Sequence, residues 1–299
     1  MITFIDQHRE LASTEELCQY LPLTPSTYYA HKAADRDPER RSGRAFRDQW
    51  LGDEIKRIWD ENFEVYGARK VWRQLRREGV EVARCTVERL MRKLGLQGAV
   101  RGAVKRTTRT DPKAPCPLDQ VDRQFVASRP NQLWVADFTY VATWKGFVYV
   151  AFVIDVYARS IVGWRVHGTM ESELVLDALE QAVATRLRSD EPGPIHHSDR
   201  GSQYLSIRYT ERLAEEGISA SVGSTGDSYD NALAESIIGL YKTEVVRRQG
   251  PWRGIDDVEK AVLTWVDWFN NRRLLEFNGN RPPVEAENEY YEIESAMAA

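Results

Sequence analysis

Three acidic residues stand apart in this chain by their surroundings. They are Asp137 in Leu133-Trp134-Val135-Ala136-Asp137-Phe138, Asp199 in His197-Ser198-Asp199-Arg200-Gly201, and Glu235 in Asp230-Asn231-Ala232-Leu233-Ala234-Glu235-Ser236. Asp137 lies in an apolar run that reads as a buried strand, Asp199 follows a short strand, and Glu235 lies on a helix, with 35 residues between the last two. A carboxylate among Trp134, Val135, Ala136 and Phe138 is costly to bury without a counter-charge, and a metal ion supplies one. Mg2+ takes hard oxygen ligands, keeps several waters, and is held by few protein carboxylates. Two such ions about 4 Å apart activate an attacking oxygen and stabilise an in-line phosphoryl transition state. A lone aspartate at a strand end more often bonds nearby backbone amides. Three acids in these settings point instead to metal-assisted phosphoryl chemistry.

The elements that must position these acids follow from hydrophobic periodicity. Residues 133–142, 147–156 and 160–166 are rich in Val, Ile, Trp, Phe and Tyr with short breaks between them, which predicts three consecutive antiparallel strands. A helix over 171–188, a short strand over 194–198, a helix over 204–216 closed by Gly217, and a strand over 218–222 come next. Long helices are expected over about 230–247 and 255–273. Residues 129–299 therefore read as one α/β domain. Upstream, residues 46–105 carry three apolar stripes at helical spacing: Leu51, Ile55, Ile58; Val71, Trp72, Leu75, ending at Gly79; and Val87, Leu90, Met91, Leu94, ending at Gly95. Residues 1–45 read as a helical segment, with a helix over 15–20 and another capped by Thr24 and opened by Pro25. That outline fits a helix-turn-helix or a small structural hairpin equally well. Residues 106–128 hold Pro112, Pro115 and Pro117 with several basic residues and read as a basic extended linker.

The three acidic motifs at this spacing resemble those of the DDE transposases and retroviral-type integrases, in particular the orfB-type transposases of the IS3 family of insertion sequences. The resemblance covers nearly the whole chain. It implies an RNase H-like fold, a mixed five-stranded sheet with flanking helices, in which the middle of the first strand lies beside the end of the fourth and brings Asp137 to Asp199. It implies two Mg2+ (or Mn2+) ions held by Asp137, Asp199 and Glu235, which serve first hydrolytic nicking and then attack by the exposed 3′ hydroxyl on another phosphodiester, without a covalent protein–DNA bond. It implies an all-α helix-turn-helix over 46–105. It assigns a DNA contact to Lys242, seven residues beyond Glu235 and so on the same helix face. It likens the Gly/Ser-rich stretch 223–229 to the mobile active-site loop of integrases. His197, two residues before Asp199 and so on the same strand face, is a candidate to hydrogen-bond a catalytic carboxylate or the DNA, and Asp155 by the same resemblance lies close to the site, where it contacts the metal or serves as a turn-stabilising aspartate. His196 reads as structural. Residues 265–273 and 280–284 resemble the family's C-terminal tail, with Trp265, Trp268 and Phe269 as core. Expected partners are insertion-sequence ends and target DNA, a second copy of the chain on paired ends, and an upstream orfA product as a fusion. The N-terminal His/Cys zinc domain of retroviral integrases has no counterpart, because His8 and His31 lack a matching Cys pair.

Net charge is −4, yet the charge is unevenly placed. Residues 66–110 hold 13 Lys/Arg against 3 Asp/Glu, whereas 129–299 hold 17 against 26. A basic module joined to an acidic one suits a nucleic-acid grip attached to a metal-dependent domain. Arg84, Arg89, Arg92 and Lys93 fall off the apolar stripe of the third helix, as on a recognition helix in a major groove; Arg69, Arg73 and Arg76 would hold phosphates. Three scattered cysteines without a Cys-x-x-Cys exclude a disulfide framework. No apolar run spans a membrane and residues 1–10 do not resemble a secretory signal, so a cytoplasmic, nucleoid-associated protein is expected. Gly-x-Ser-x-Gly is missing, and contiguous His197, Ser198 and Asp199 cannot form a hydrolase relay. Two rivals remain open: an RNase H-like nuclease that never joins strands, and a non-catalytic helix-turn-helix regulator.

Overall fold

Period-two alternation in the C-terminal half resolves into one five-stranded sheet. The computed structural model describes residues 1–100, 126–187, 192–198, 206–222 and 231–298. Among these, β1 (Leu133–Thr143), β2 (Gly146–Asp155) and β3 (Ile161–His167) form an antiparallel meander, and β4 (Ile195–Ser198) and β5 (Ser219–Val222) extend it in parallel. The strand order is β3-β2-β1-β4-β5. This is the mixed sheet expected of an RNase H-like domain, with strand limits within one or two residues of those read from the sequence. Gly146, at φ +112°, lets β1 turn into β2. Gly163 on β3 lets a helix lie close: a Cβ there would meet the Ala178 carbonyl oxygen at 2.0 Å.

Helices cover both faces. α7 (Ser172–Arg186) and α8 (Ile207–Glu215) pack on the face that carries Trp134 and Ala136. α9 (Ala232–Tyr241) and α11 (Ile255–Asn271) pack on the face that carries Leu133, Val135 and Val141. Side chains alternate along β1, so Asp137 falls on the α9–α11 face.

A single helix over about 230–247 was expected; α9 instead ends at Tyr241 and continues as a π-helical turn, Lys242–Val246, and a three-residue α10 (Arg247–Gln249). A local cause is visible: the Thr243 hydroxyl donates to the Gly239 carbonyl at 2.8 Å, competing for an oxygen of the regular ladder. The turn also directs Glu244 inward to a buried ion pair with Arg273. A C-terminal α12 (Pro283–Ala298), opened by proline at its first position, was not anticipated.

The N-terminal half is all helical: α1 (Ile2–His8), α2 (Thr14–Gln19), α3 (Pro25–Arg36), a 3₁₀ turn at Pro38–Arg40, α4 (Gly43–Glu61), α5 (Ala68–Arg77) and α6 (Arg84–Lys93). Ser13 and Glu16 form a capping box on α2, and Thr24 caps α3 as its sequence implied. α1–α3 close around Ile5, Cys18 and Tyr28. The α4–α6 module shares its apolar core with the sheet domain, from Leu51, Tyr66 and Val71 through to Trp265, Trp268 and Phe269. The contact is specific. The Trp268 indole N–H donates to Asn62 Oδ1 at 3.0 Å, Leu274 N–H donates to the Tyr66 hydroxyl at 2.7 Å, and Phe63 meets Trp268 edge to face at 5.0 Å.

Candidate active site and nucleic-acid interface

Two of the three acids lie in described elements that touch each other. The described parallel pairing of β1 with β4 ends at Ala136 and Ser198, the residues that directly precede Asp137 and Asp199 in the chain. Asp137 is therefore the first residue of β1 beyond the carboxyl end of that parallel pair, the kind of place where open α/β sheets present their ligands. Its Oδ1 accepts the Phe138 N–H at 2.8 Å, and the residue is partly exposed. Asp199 itself lies outside the described residues, as does the 223–229 loop.

Glu235 sits in the first turn of α9, exposed, with its N–H on the Asn231 carbonyl at 3.1 Å. The buried Asn231 side chain donates through Nδ2 to the Ala136 carbonyl at 2.8 Å. That bond ties the start of the Glu235 helix to the residue beside Asp137. Asn231 was missed in the sequence, although an asparagine just before a helix is a recognisable signal. Its Oδ1 is buried without a partner among the described residues. Among those residues no three His, Cys, Asp or Glu cluster as metal ligands. The donors present are of the right chemistry for a hard cation: carboxylates at Asp137 and Glu235, with an amide oxygen of Asn231 nearby.

His197 lies on the α9–α11 face by alternation, fully buried, with Nδ1 3.0 Å from the Ser221 hydroxyl on β5. It pairs with Val135, two residues before Asp137. His196 points to the opposite face, where Nε2 lies 3.0 Å from the Tyr209 hydroxyl. Burial, and secondarily His197, lowers its imidazole to about 4, so it is neutral at ordinary pH. Asp155 pairs with Trp134, three residues upstream of Asp137. Its oxygens accept the Asn131 N–H at 2.6 Å and the Tyr157 N–H at 2.9 Å. Burial raises its carboxyl to about 6 against the lowering effect of those amides. These bonds pin the turn after β2 and the start of β1. Lys242 follows α9 at the expected two-turn spacing, with its ammonium 5.8 Å from the centre of the Tyr140 ring.

The candidate DNA-contacting arginines occupy different settings. On α6, Arg92 and Lys93 are exposed. Arg84 pairs with Glu88 one turn on, and Arg89 is held by both oxygens of Asp48 on α4, at 2.7 and 2.9 Å. On α5, Arg76 is exposed 5.6 Å from the Trp72 ring, and Arg73 lies over the same ring at 4.8 Å with its Nε buried and without a hydrogen-bond partner among the described residues. Arg69 reaches across to Glu276 at 2.8 Å. Arg44 and Arg47, i and i+3 on α4, were missed; with Arg76 and Arg89 they line a cleft of about 590 Å³ between α4, α5 and α6.

Comparison with known proteins adds a family. A model of the integrase core domain matches residues 127–228, a second integrase core domain model matches 216–283, and a model of an HTH-like domain matches 46–104. The chain is 59% identical to the transposase for insertion sequence element IS629 of Shigella sonnei, over 97% of each chain. It is 57% identical to the putative transposase for insertion sequence element IS986/IS6110 of Mycobacterium tuberculosis, over 93% of this chain and 100% of the relative. Among solved structures, the HTLV-2 integrase catalytic core domain in complex with magnesium aligns at TM-score 0.42 and 15% identity, over 54% of this chain and 99% of that one.

Proposed function

Because the chain belongs to the orfB-type transposases of IS3-family insertion sequences, we propose that it cleaves the ends of its own element and joins them to target DNA through Asp137, Asp199 and Glu235. It is a DNA-binding transposase of the DDE class, whose chemistry depends on divalent metal. The finer reading is that two Mg2+ or Mn2+ ions bind at the three carboxylates. The observation that supports it best is the Asn231–Ala136 hydrogen bond, which links the Glu235 helix to the Asp137 strand where the parallel pair ends.

When bound, the divalent ions supply Lewis-acid activation of the attacking oxygen and offset charge on the phosphate. The chain's own residues do the rest. Asp137 and Glu235 present carboxylate oxygens from elements packed on each other, and Asp199 follows the strand beside Asp137 in sequence. Asn231 fixes the approach of α9. Lys242, on the same helical path, offers a cation to the DNA backbone next to the site. Exposed Arg92, Lys93 and Arg76 hold DNA at the helical module, with Arg44 and Arg47 as further candidates. We place the active form on paired ends as a homo-oligomer, with an orfA product as a further partner, acting on DNA in the cytoplasm.

The test is a joining assay with pre-cut ends and Mg2+. Asp137→Asn, Asp199→Asn and Glu235→Gln should each lower cleavage and joining by about a thousandfold or more, since a metal's stabilisation of the transition state amounts to several kcal/mol and about 1.4 kcal/mol is tenfold. Binding to ends should persist. Near-wild-type joining by any variant rejects that residue. Hydrolysis by the wild-type chain without any joining would turn the reading to an RNase H-like nuclease.

A further inference from the structure

Beyond Ser198 the described part of β4 no longer flanks β1, and β1 runs on past Asp137 to a hairpin tip that is aromatic and exposed. Tyr140 is 60% exposed, Phe147 57% and Trp144 72%. These are large apolar side chains on a surface where none is needed for the core, and they are not randomly arranged. Tyr140 and Phe147 meet edge to face at 5.3 Å, and Trp144 with Lys145 forms the two-residue turn between β1 and β2. The tip is braced: Trp144 N–H donates to the Trp252 carbonyl at 2.9 Å and the Thr143 hydroxyl to the Gly146 carbonyl at 2.8 Å. Cations flank the rings, with Lys242 near Tyr140 and Lys145 in the turn. Aromatic faces interleaved with cations are the surface that unpaired nucleic-acid bases stack on, with phosphates neutralised alongside.

We propose that Tyr140, Phe147 and Trp144 form a stacking platform for unpaired bases of the DNA strand that leads into the site. The proposal rests on the transposase reading and adds to it a substrate state, an end whose terminal pairs are opened. Tyr140 lies three residues beyond Asp137 and so on the other face of β1, but Lys242, two turns beyond Glu235, carries its ammonium to 5.8 Å from the Tyr140 ring and links the tip to the Glu235 helix. The first stacked base should therefore sit several nucleotides from the reacting phosphate. Lysines interleaved with aromatic rings suit a DNA strand, whose phosphates and bases meet both, and an interface between copies is the alternative outcome of the test below.

The experiment uses the full chain and end duplexes carrying 2-aminopurine at each of the first five positions from the reacting phosphate, either fully paired or with the last pairs mismatched. The wild-type chain should quench the probe at the third position or beyond, and only on mismatched ends. Tyr140→Ala and Phe147→Ala should remove that quenching and lower affinity for mismatched ends about tenfold. They should leave affinity for paired duplex unchanged, which also reports that the variants are folded. Tyr140→Phe and Phe147→Tyr should retain the quenching. Unchanged quenching in the alanine variants, while the wild-type chain joins ends normally, overturns the platform alone. Loss of self-association in these variants without any change in quenching also overturns it, in favour of an interface between copies. A wild-type chain that joins no ends overturns the transposase reading and the platform with it.

Discussion

Two buried residues that flank Trp134, His196 on β4 and Asp155 on β2, are shifted in opposite directions. His196 is held neutral in the core, with its imidazole lowered from about 6.5 to about 4. Stability from that burial is fully present above 6.5 and is lost as pH falls from 6.5 through 4, a span worth up to about 3 kcal/mol. Asp155 is raised to about 6, so its contribution has the other sign: full below the ordinary carboxylate value near 3.8, lost as pH rises through 6. Between pH 6 and 4 the two oppose each other. Urea titrations across that range should show His196→Gln gaining stability on acidification relative to wild type, and Asp155→Asn losing it. Parallel curves for all three chains would contradict the assignments. The arginines of α6 divide in the same residue-by-residue way. Arg92→Ala should narrow the gap between specific and random DNA by roughly 1–3 kcal/mol. Arg89→Ala should narrow it less, because Asp48 already takes its guanidinium. The acidic motifs stand out in the sequence by residue type and spacing, and the structure brings the Asp137 strand to the start of the Glu235 helix. The fork of Arg89 on Asp48 was not legible in the sequence, since an ion pair between positions 41 apart leaves no local pattern.

At the scale of elements, the π-helical turn after α9 places Glu244 beside Arg273, each 5% exposed, with the Trp265 indole N–H also on Glu244 at 3.2 Å. Removing one member of a buried ion pair leaves the other charged and unpaired. Glu244→Ala should therefore destabilise the fold by about 3–5 kcal/mol, and Glu244→Leu with Arg273→Met should recover much of it. Denaturant midpoints of the single and double variants check this; an additive double variant would contradict it. Asn231→Ala should cost about 1–2 kcal/mol of stability through the lost bond to Ala136, and should slow joining more than it weakens end binding. The strands and most helices were legible because their apolar periods are strong. α12 was not, because Glu and Tyr are spread around it without a clean stripe and Pro282-Pro283 reads as a tail. The π turn was not, because one threonine back-bond does not alter the apolar period.

The whole molecule differs most from what the sequence implies. Charge and composition suggest a basic grip on a linker, separate from an acidic catalytic domain. In the structure, α4–α6 share a core with the sheet domain, sealed by Asn62–Trp268 and Tyr66–Leu274 and fringed by Arg69–Glu276, Arg77–Glu285 and Arg248–Glu64. Docking between distant segments has no periodic signature, so it could not be read from the chain. Its consequence is cooperative: residues 43–93 and 129–298 should unfold in one calorimetric transition, and a fragment from 129 onward should melt well below the full chain. Two separated transitions would contradict a shared core. On the proposed reading, the same docking would fix the helical module's DNA contacts relative to Asp137 and Glu235. End binding should weaken steeply with salt as counterions are released.

The central claim is that three carboxylates hold the metal that joins DNA, and thiolate substitution tests it most directly. Soft cysteine sulfur is a poor ligand for Mg2+ and a better one for Mn2+. Asp137→Cys, Asp199→Cys and Glu235→Cys should each bind ends yet fail to join them in Mg2+, with joining partly restored in Mn2+. Joining at wild-type rates in Mg2+ by any of the three would contradict the claim for that residue.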